Sequence, residues 1–365
     1  MMGKTISLYL TRRFFSAVLT VFLTCMGLIL LVDFVELMRR SSNVEAASIF
    51  SVFWLALLRL PTFTEQIFPF AILFGTMSAL MRLSQRLELV VARTAGMSVW
   101  QFLAPGLFVA LATGFFATLV YNPLSAMARE EADRIEARLF GKFNFSDSVQ
   151  RTSSGAWIRQ EGKDGQFILN AGSALEGGMQ LVKVTIHTFD KQGNLAARID
   201  ADRAVLKPGF WELENALLMN PGETPERYKS YLLPTNLSAA QVRESFASPE
   251  TISFYELPTY IAISQKAGLS ATRLRLQYQT LLAKPWLLLG MALIAATVSL
   301  RLFRSGQVLP LIMGGIGAGF LLYLTLEISK QLGRSGLIGV IPAAWVPVVV
   351  AMLTGLTILL HQEDG

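Results

Sequence analysis

The uncharged run from Phe14 to Val32 most constrains this chain. It is about long enough to cross a hydrocarbon core of roughly 30 Å as one helix. Its start, MMGKTISLYLTRRFF, has no small-residue cleavage site after the apolar stretch, so the run is expected to be retained as a span. Four charged residues, Asp33, Glu36, Arg39 and Arg40, close it. A second apolar region, Ile49 to Met81, is too long for one simple span and is divided by Arg59, Pro61 and Glu65. It reads as a lead-in segment followed by a span near Gln66 to Met81. A third span runs from about Val99 to Tyr121 and stops at Asn122 and Pro123. Three more follow much later, near Pro285–Leu302, Val308–Ile328 and Leu337–Leu360. With 52% hydrophobic and 16% charged residues, the chain is too apolar for an ordinary soluble protein. Its net charge of +6 is scattered beside the apolar runs, which suits a membrane better than nucleic acid.

Between the third and fourth runs the character changes. Leu124 to Lys142 is a charged helical pattern. From Phe143 to Leu257 come short β-prone runs: AWIRQ, QFILNA, LVKVTIHTF, FWELENALLM, YKSYLL and TISFYEL, punctuated by Gly, Asp, Asn and Pro. The expected fold is an α-helical membrane protein of six spans, split three and three by an inserted all-β domain. Its parts are residues 1–123, 124–257 (the β domain with its leading helix) and 258–365, which opens with a connecting helix. Lys4, Arg12, Arg13, Arg82, Arg86, Arg93, Arg301 and Arg304 fall on one side. Arg39, Arg40, Lys330 and Arg334, with Arg59 ambiguous, fall on the other. The excess of basic residues puts both termini in the cytoplasm and the β domain outside.

Between the second and third spans lies Arg82–Ser98, RLSQRLELVVARTAGMS. Leu83, Leu87 and Val90/Val91 recur at i, i+4 and i+7/i+8, one face of a helix. Gly96 suits the position just past a helix end, and Ser98 with Gln101 reads as a capping box opening the next helix. A short amphipathic helix, about residues 84–95, therefore sits where a plain turn would suffice. It is either an interfacial hairpin or a knob on which another protein pushes.

Motifs of catalysis are scarce. Gly3-Lys4-Thr5 resembles the end of a phosphate-binding loop, but the strand and glycine-rich turn that such a loop needs do not precede it. His187 and His361 are far apart, Cys25 is the one cysteine, and GxSxG and HExxH do not occur. Glu65 and Glu327 each lie near the end of a span, where snorkelling to water is the simple account. Gly314, Gly315, Gly317 and Gly319 make a small face on the fifth span, suited to close packing within the chain or to a seam with another subunit. Arg39 and Arg40 read first as interfacial anchors; their planar forks also suit lipid phosphates.

Taken together the layout resembles the LptF/LptG family, the permease subunits of the bacterial lipopolysaccharide exporter. The strongest local match is QRLELVVARTAGMS, Gln85 to Ser98, which resembles the family's coupling helix. Pro61, Pro69, Lys284-Pro285, Gly319-Phe320, Tyr323 and Ile341-Pro342 support it. AARIDADRAVLKPGFWELENA, Ala196 to Ala216, is similar to the strand–turn–Trp-x-Leu unit of that pathway's β-jellyroll domains. Gln85-Arg86 favours the LptG branch.

The resemblance implies a non-enzymatic permease subunit of an ABC transporter in the Gram-negative inner membrane, with a periplasmic β-jellyroll-like domain. It implies an LptF-like partner permease, a dimeric LptB-like ATPase, an LptC-like single-span bridge, lipopolysaccharide as substrate, and no cofactor of the chain's own. It assigns Arg86, Glu88, Leu89, Val90 and Gly96 to ATPase coupling. Phe320 and Tyr323 would face the lipid cavity or the seam, and Arg39 and Arg40 would meet lipid phosphates. One departure stands out: Asp33 occupies a position near the top of the first span that is often basic in LptG members. The competing readings are a mechanotransmission subunit that does not itself carry lipid, a membrane-embedded enzyme, which would need a catalytic cluster not visible in the sequence, and a structural scaffold.

Overall fold

The computed structural model describes residues 4–41, 48–140, 156–162, 165–175, 179–189, 195–220, 224–235, 249–266, 271–305 and 308–364. The first helix, α1, spans Lys4–Ser41, well beyond its uncharged core. The second apolar region forms two helices, α2 (Ile49–Glu65) and α3 (Phe68–Gln85), bent by 69° at their junction. Pro69 explains the break: its ring clashes with the carbonyl four residues back and it has no N–H to donate. The helix therefore stops at Glu65, and Ile67 closes the corner by donating to the Thr64 carbonyl.

A seven-residue helix, α4 (Glu88–Thr94), precedes α5 (Val99–Phe116). One π turn, Ala117–Tyr121, joins α5 to α6 (Asn122–Phe140), with the Asn122 amide donating to the Ala117 carbonyl. Pro123 has no amide to continue the α ladder, and the wider turn absorbs the mismatch. After the β region come α7 (Leu257–Lys266), α8 (Thr272–Ser305), α9 (Val308–Arg334) and α10 (Val340–Asp364).

Among the described residues, four helices are long and apolar enough to cross a membrane: Thr5–Ser41, Val99–Glu136, Thr272–Leu300 and Val340–His361. The bent α2–α3 pair adds a fifth if it counts as one span. Helix α9 covers the expected fifth span, and its stretch from Val308 to Leu326 carries no charged residue.

Small residues let these helices approach. A Cβ on Gly75 would strike the Val18 backbone, and one on Gly114 would strike Pro285 Cα. In lipid, where helices gain little from hydrophobicity, such close van der Waals packing is a main source of association. The core holds Phe14, Ile72, Leu73, Phe102, Leu103 and Leu288, all buried. Gly315 and Gly319 meet Met77 and Leu73 of α3, while Gly314 and Gly317 face open space. The GxxxG pair thus packs within the chain.

Six strands, β1 (Ala156–Gly162), β2 (Gly165–Leu175), β3 (Gln180–Phe189), β4 (Leu195–Lys207), β5 (Phe210–Met219) and β6 (Glu226–Pro234), form one antiparallel sheet in chain order. Buried residues line one face, Leu181, Val184 and Ile186 of β3 among them, and strict alternation breaks at Lys183, which takes φ +49°. Trp211 and Leu213 of β5 join the same core, as the Trp-x-Leu resemblance implies. Pro208-Gly209 turns β4 into β5: Lys207 pairs with Phe210, and Gly209 takes φ +87°, which suits the third position of a type II turn.

Two expectations are corrected here. The strands form a meander, without the Greek-key crossings of a jelly roll among the described residues. TISFYEL is not a strand: its start belongs to a 3-10 turn, Pro249–Thr251, and its last leucine opens α7. The segment lies against the helices instead. Ile252 and Leu257 bury with Leu274 and Leu281 of α8, and the Phe254 amide donates to Asn122 Oδ1 at 2.9 Å.

Candidate functional site

The Arg82–Ser98 stretch folds as two sharp turns around α4. Helix α3 ends at Gln85, Arg86 caps it exposed to solvent, and Leu87 adopts a left-handed conformation at φ +60°. That conformation is costly for a bulky residue and marks an imposed corner. It also breaks the helix face expected from Leu83, Leu87 and Val90/Val91. Leu83 and Leu89 are buried in the helix core, whereas Leu87 and Val91 are 63% and 64% exposed and Val90 is exposed too. The rotation at Leu87 separates residues that one continuous helix would have aligned.

The other end follows the sequence closely. Gly96 sits at φ +82°, with its amide donating to Arg93 and the Met97 amide donating to Ala92, a Schellman-type ending. Ser98 Oγ accepts from the Gln101 amide at 3.3 Å, and Gln101 Oε1 accepts from the Ser98 amide at 3.2 Å, a complete capping box. Glu88 in the first turn and Arg93 in the last turn both suit the helix dipole. Tyr9 of α1 places its hydroxyl 3.2 Å from both Glu88 carboxylate oxygens, and Arg13 Nε donates to that hydroxyl at 3.0 Å. Arg86, Glu88, Leu89, Val90 and Gly96 therefore lie together at one end of the helical bundle, beside the N-terminal end of α1. The side chains of Lys4, Arg301 and Arg304 lie outside the described residues.

At the far end of α1, Arg39 and Arg40 both donate to Glu36, at 3.0 and 2.9 Å. Arg39 is largely exposed and Arg40 half-buried. Asp33 faces Arg59 at 3.6 Å, and Arg59 also reaches Glu136 of α6 at 3.8 Å. With 7% of its side chain exposed, Arg59 is an interior group joining α1, α2 and α6. Sequence reading missed this bridge, although a basic residue inside an apolar run implies a hidden partner. Snorkelling is likewise the wrong account of Glu65. It accepts from Lys284 Nζ of α8 at 2.5 Å and from Asn122 Nδ2 at 3.2 Å.

Phe320 and Tyr323 lie on α9. Phe320 is exposed, and Tyr323 rests on Phe70 of α3 with ring centroids 5.3 Å apart. One turn further, Leu324, Glu327, Ile328 and Gln331 line a shallow open hollow. Among the described residues, no three His, Cys, Asp or Glu side chains converge as metal ligands.

The family model for lipopolysaccharide export system permease LptF/LptG matches residues 8–361. The chain belongs to the LptF/LptG family. Two relatives are named lipopolysaccharide export system permease protein LptG. The protein from Haemophilus influenzae is 25% identical over 362 residues, 96% of each chain. That from Escherichia coli K12 is 22% identical over 330 residues, 89% of each. These names agree with the LptG branch indicated by Gln85-Arg86. Membership in the LptF/LptG family, with several apolar helices, makes the chain a multi-pass membrane permease and a transporter component rather than an enzyme.

Proposed function

We propose that this chain is one of two paired permeases of an ABC transporter in the Gram-negative inner membrane. It spans the membrane six times, α2–α3 and α9 each forming one span, with the sheet in the periplasm. Lipopolysaccharide enters from the outer leaflet of that membrane. It is pushed into the sheet domain and handed to an LptC-like bridge toward the outer membrane. An LptF-like permease is the partner, and a dimeric LptB-like ATPase supplies the energy, so this chain binds no ATP.

The observation that carries this reading is α4. A helix of seven residues is too short to be stable alone. Here a Schellman-type ending and buried Leu89 hold it at the bundle end, the capping box starts α5 directly after it, and Leu87, Val90 and Val91 stay exposed. Elaborate support for an exposed apolar knob suits a docking helix. Arg86, Glu88, Leu89, Val90 and Gly96 are assigned to that coupling: Leu89 and Gly96 fix the knob, and Arg86, Glu88 and Val90 meet the ATPase. Arg39, Arg40, Phe320 and Tyr323 are assigned to lipid, the arginines for phosphates and the aromatics for acyl chains. Exposed Phe320 on a glycine-faced α9 supports the second assignment.

Co-purification in mild detergent tests the reading. Wild type is expected to retain an ATPase and lipopolysaccharide, and Glu88→Ala to lose or uncouple the ATPase. An ATPase that never co-purifies would leave α4 as an interfacial hairpin.

A further inference from the structure

Helix α4 has one buried residue, Leu89, and its N-cap, Leu87, supplies no side-chain hydrogen bond. Its C-terminal end is closed by the Gly96 and Met97 amides, but these bonds are local. The hydrogen bond that ties its acidic end to another helix comes from Tyr9 of α1, 79 residues earlier. A phenol has one proton and accepts through its lone pairs. Tyr9 therefore donates to Glu88 while accepting from Arg13 Nε, and the Arg13 guanidinium also lies 5.0 Å from the Tyr9 ring centroid. The cation polarises the phenol and strengthens its donation to the carboxylate. The result is a directed chain, Arg13 to Tyr9 to Glu88, from α1 to the N-terminus of α4.

We propose that Tyr9, polarised by Arg13, is a positioning residue for ATPase coupling: it holds Glu88, and with it α4, in the orientation that the ATPase meets. This rests on the docking reading of α4.

The test is a double-mutant cycle on the intact complex, co-expressed with its ATPase and reconstituted in liposomes containing lipopolysaccharide. Tyr9→Phe keeps the ring and removes the hydroxyl. It is expected to lower lipid-stimulated ATP turnover by roughly three- to tenfold, the range for one net hydrogen bond. In a Glu88→Gln background, where a neutral amide oxygen still accepts but the charge that strengthens the bond is gone, the same change is expected to have a smaller effect. Wild-type turnover in Tyr9→Phe, or full additivity with Glu88→Gln, would overturn the proposal. Glu88→Ala separates it from the docking reading. If that variant keeps a full complement of ATPase and full turnover, docking through Glu88 falls and the positioning role falls with it. If it loses coupling while Tyr9→Phe behaves as wild type, the positioning role alone falls.

Discussion

Lys284 of α8 donates to Glu65 of α2 at 2.5 Å, and both side chains are mostly buried, at 12% and 16% exposed. Glu65 ends α2 at the 69° corner, Lys284 precedes Pro285 in the middle of α8, and Asn122 beside them follows the π turn. Three interruptions of helical regularity thus meet around one ion pair. The same Asn122 accepts the Phe254 amide, so the chain returning from the sheet is fastened there too.

Removing one partner of this pair leaves an uncompensated buried charge. Lys284→Ala and Glu65→Ala are each expected to destabilise the protein by about 3–5 kcal/mol. The exchanged pair, Glu65→Lys with Lys284→Glu, should recover a large part of that loss. Thermal unfolding in detergent measures all three. Equal losses in the singles and the exchange would show that position, not pairing, matters.

Gly114 offers a second test of the same region. Its missing Cβ is where Pro285 Cα sits, so Gly114→Ala must push α5 from α8 and should cost roughly 1–3 kcal/mol. Gly317→Ala, with nothing within 4 Å, should be neutral or slightly stabilising. Melting temperatures of the two variants, compared side by side, decide this.

In the coupling segment, Gly96→Ala forces a side chain into φ +82°, at a cost of about 1–2 kcal/mol. Ser98→Ala removes half of the capping box and should cost about 1 kcal/mol. Both are expected to reduce retention of the ATPase with little change in detergent-resistant folding. Pull-down stoichiometry at increasing salt reads the effect.

Trp211 is fully buried in the sheet, and its Nε1 has no hydrogen-bond partner among the described residues. Trp211→Ala should cost about 3–5 kcal/mol by opening a cavity. Trp211→Phe removes the unsatisfied donor and should cost far less. Hydrogen exchange of β4 to β6 in the intact protein distinguishes the two.

At the outer end of α1, reversing Arg39 and Arg40 to glutamate is expected to lower lipid-stimulated ATPase activity by at least about tenfold, since one charged hydrogen bond of roughly 1.5–3 kcal/mol already exceeds that factor. Unchanged stimulation would remove both arginines from the lipid site.

Much of this architecture was legible from local pattern. The apolar runs marked where helices form, because length and absence of charge suffice for that. Gly96, Ser98 and Gln101 announced the end of one helix and the start of the next, since capping depends on residues within one turn. β-prone runs and turn residues located β1, β2, β3, β5 and β6 for a similar reason but misplaced TISFYEL, whereas β4 entered only through the resemblance over Ala196 to Ala216. Tertiary structure decided the rest. Glu65 is 219 residues from Lys284, and Asp33 meets Arg59 across two helices. Whether a charge in an apolar run reaches water or a partner depends on which helices surround it, and that is set by packing rather than by spacing. The exposed face of α4 turned on one left-handed residue, Leu87, and TISFYEL, which alone would suit a strand, found its apolar partners on α8 and its hydrogen bond on Asn122. Periodicity reports what a segment can bury; only the assembled helices determine what it is buried against.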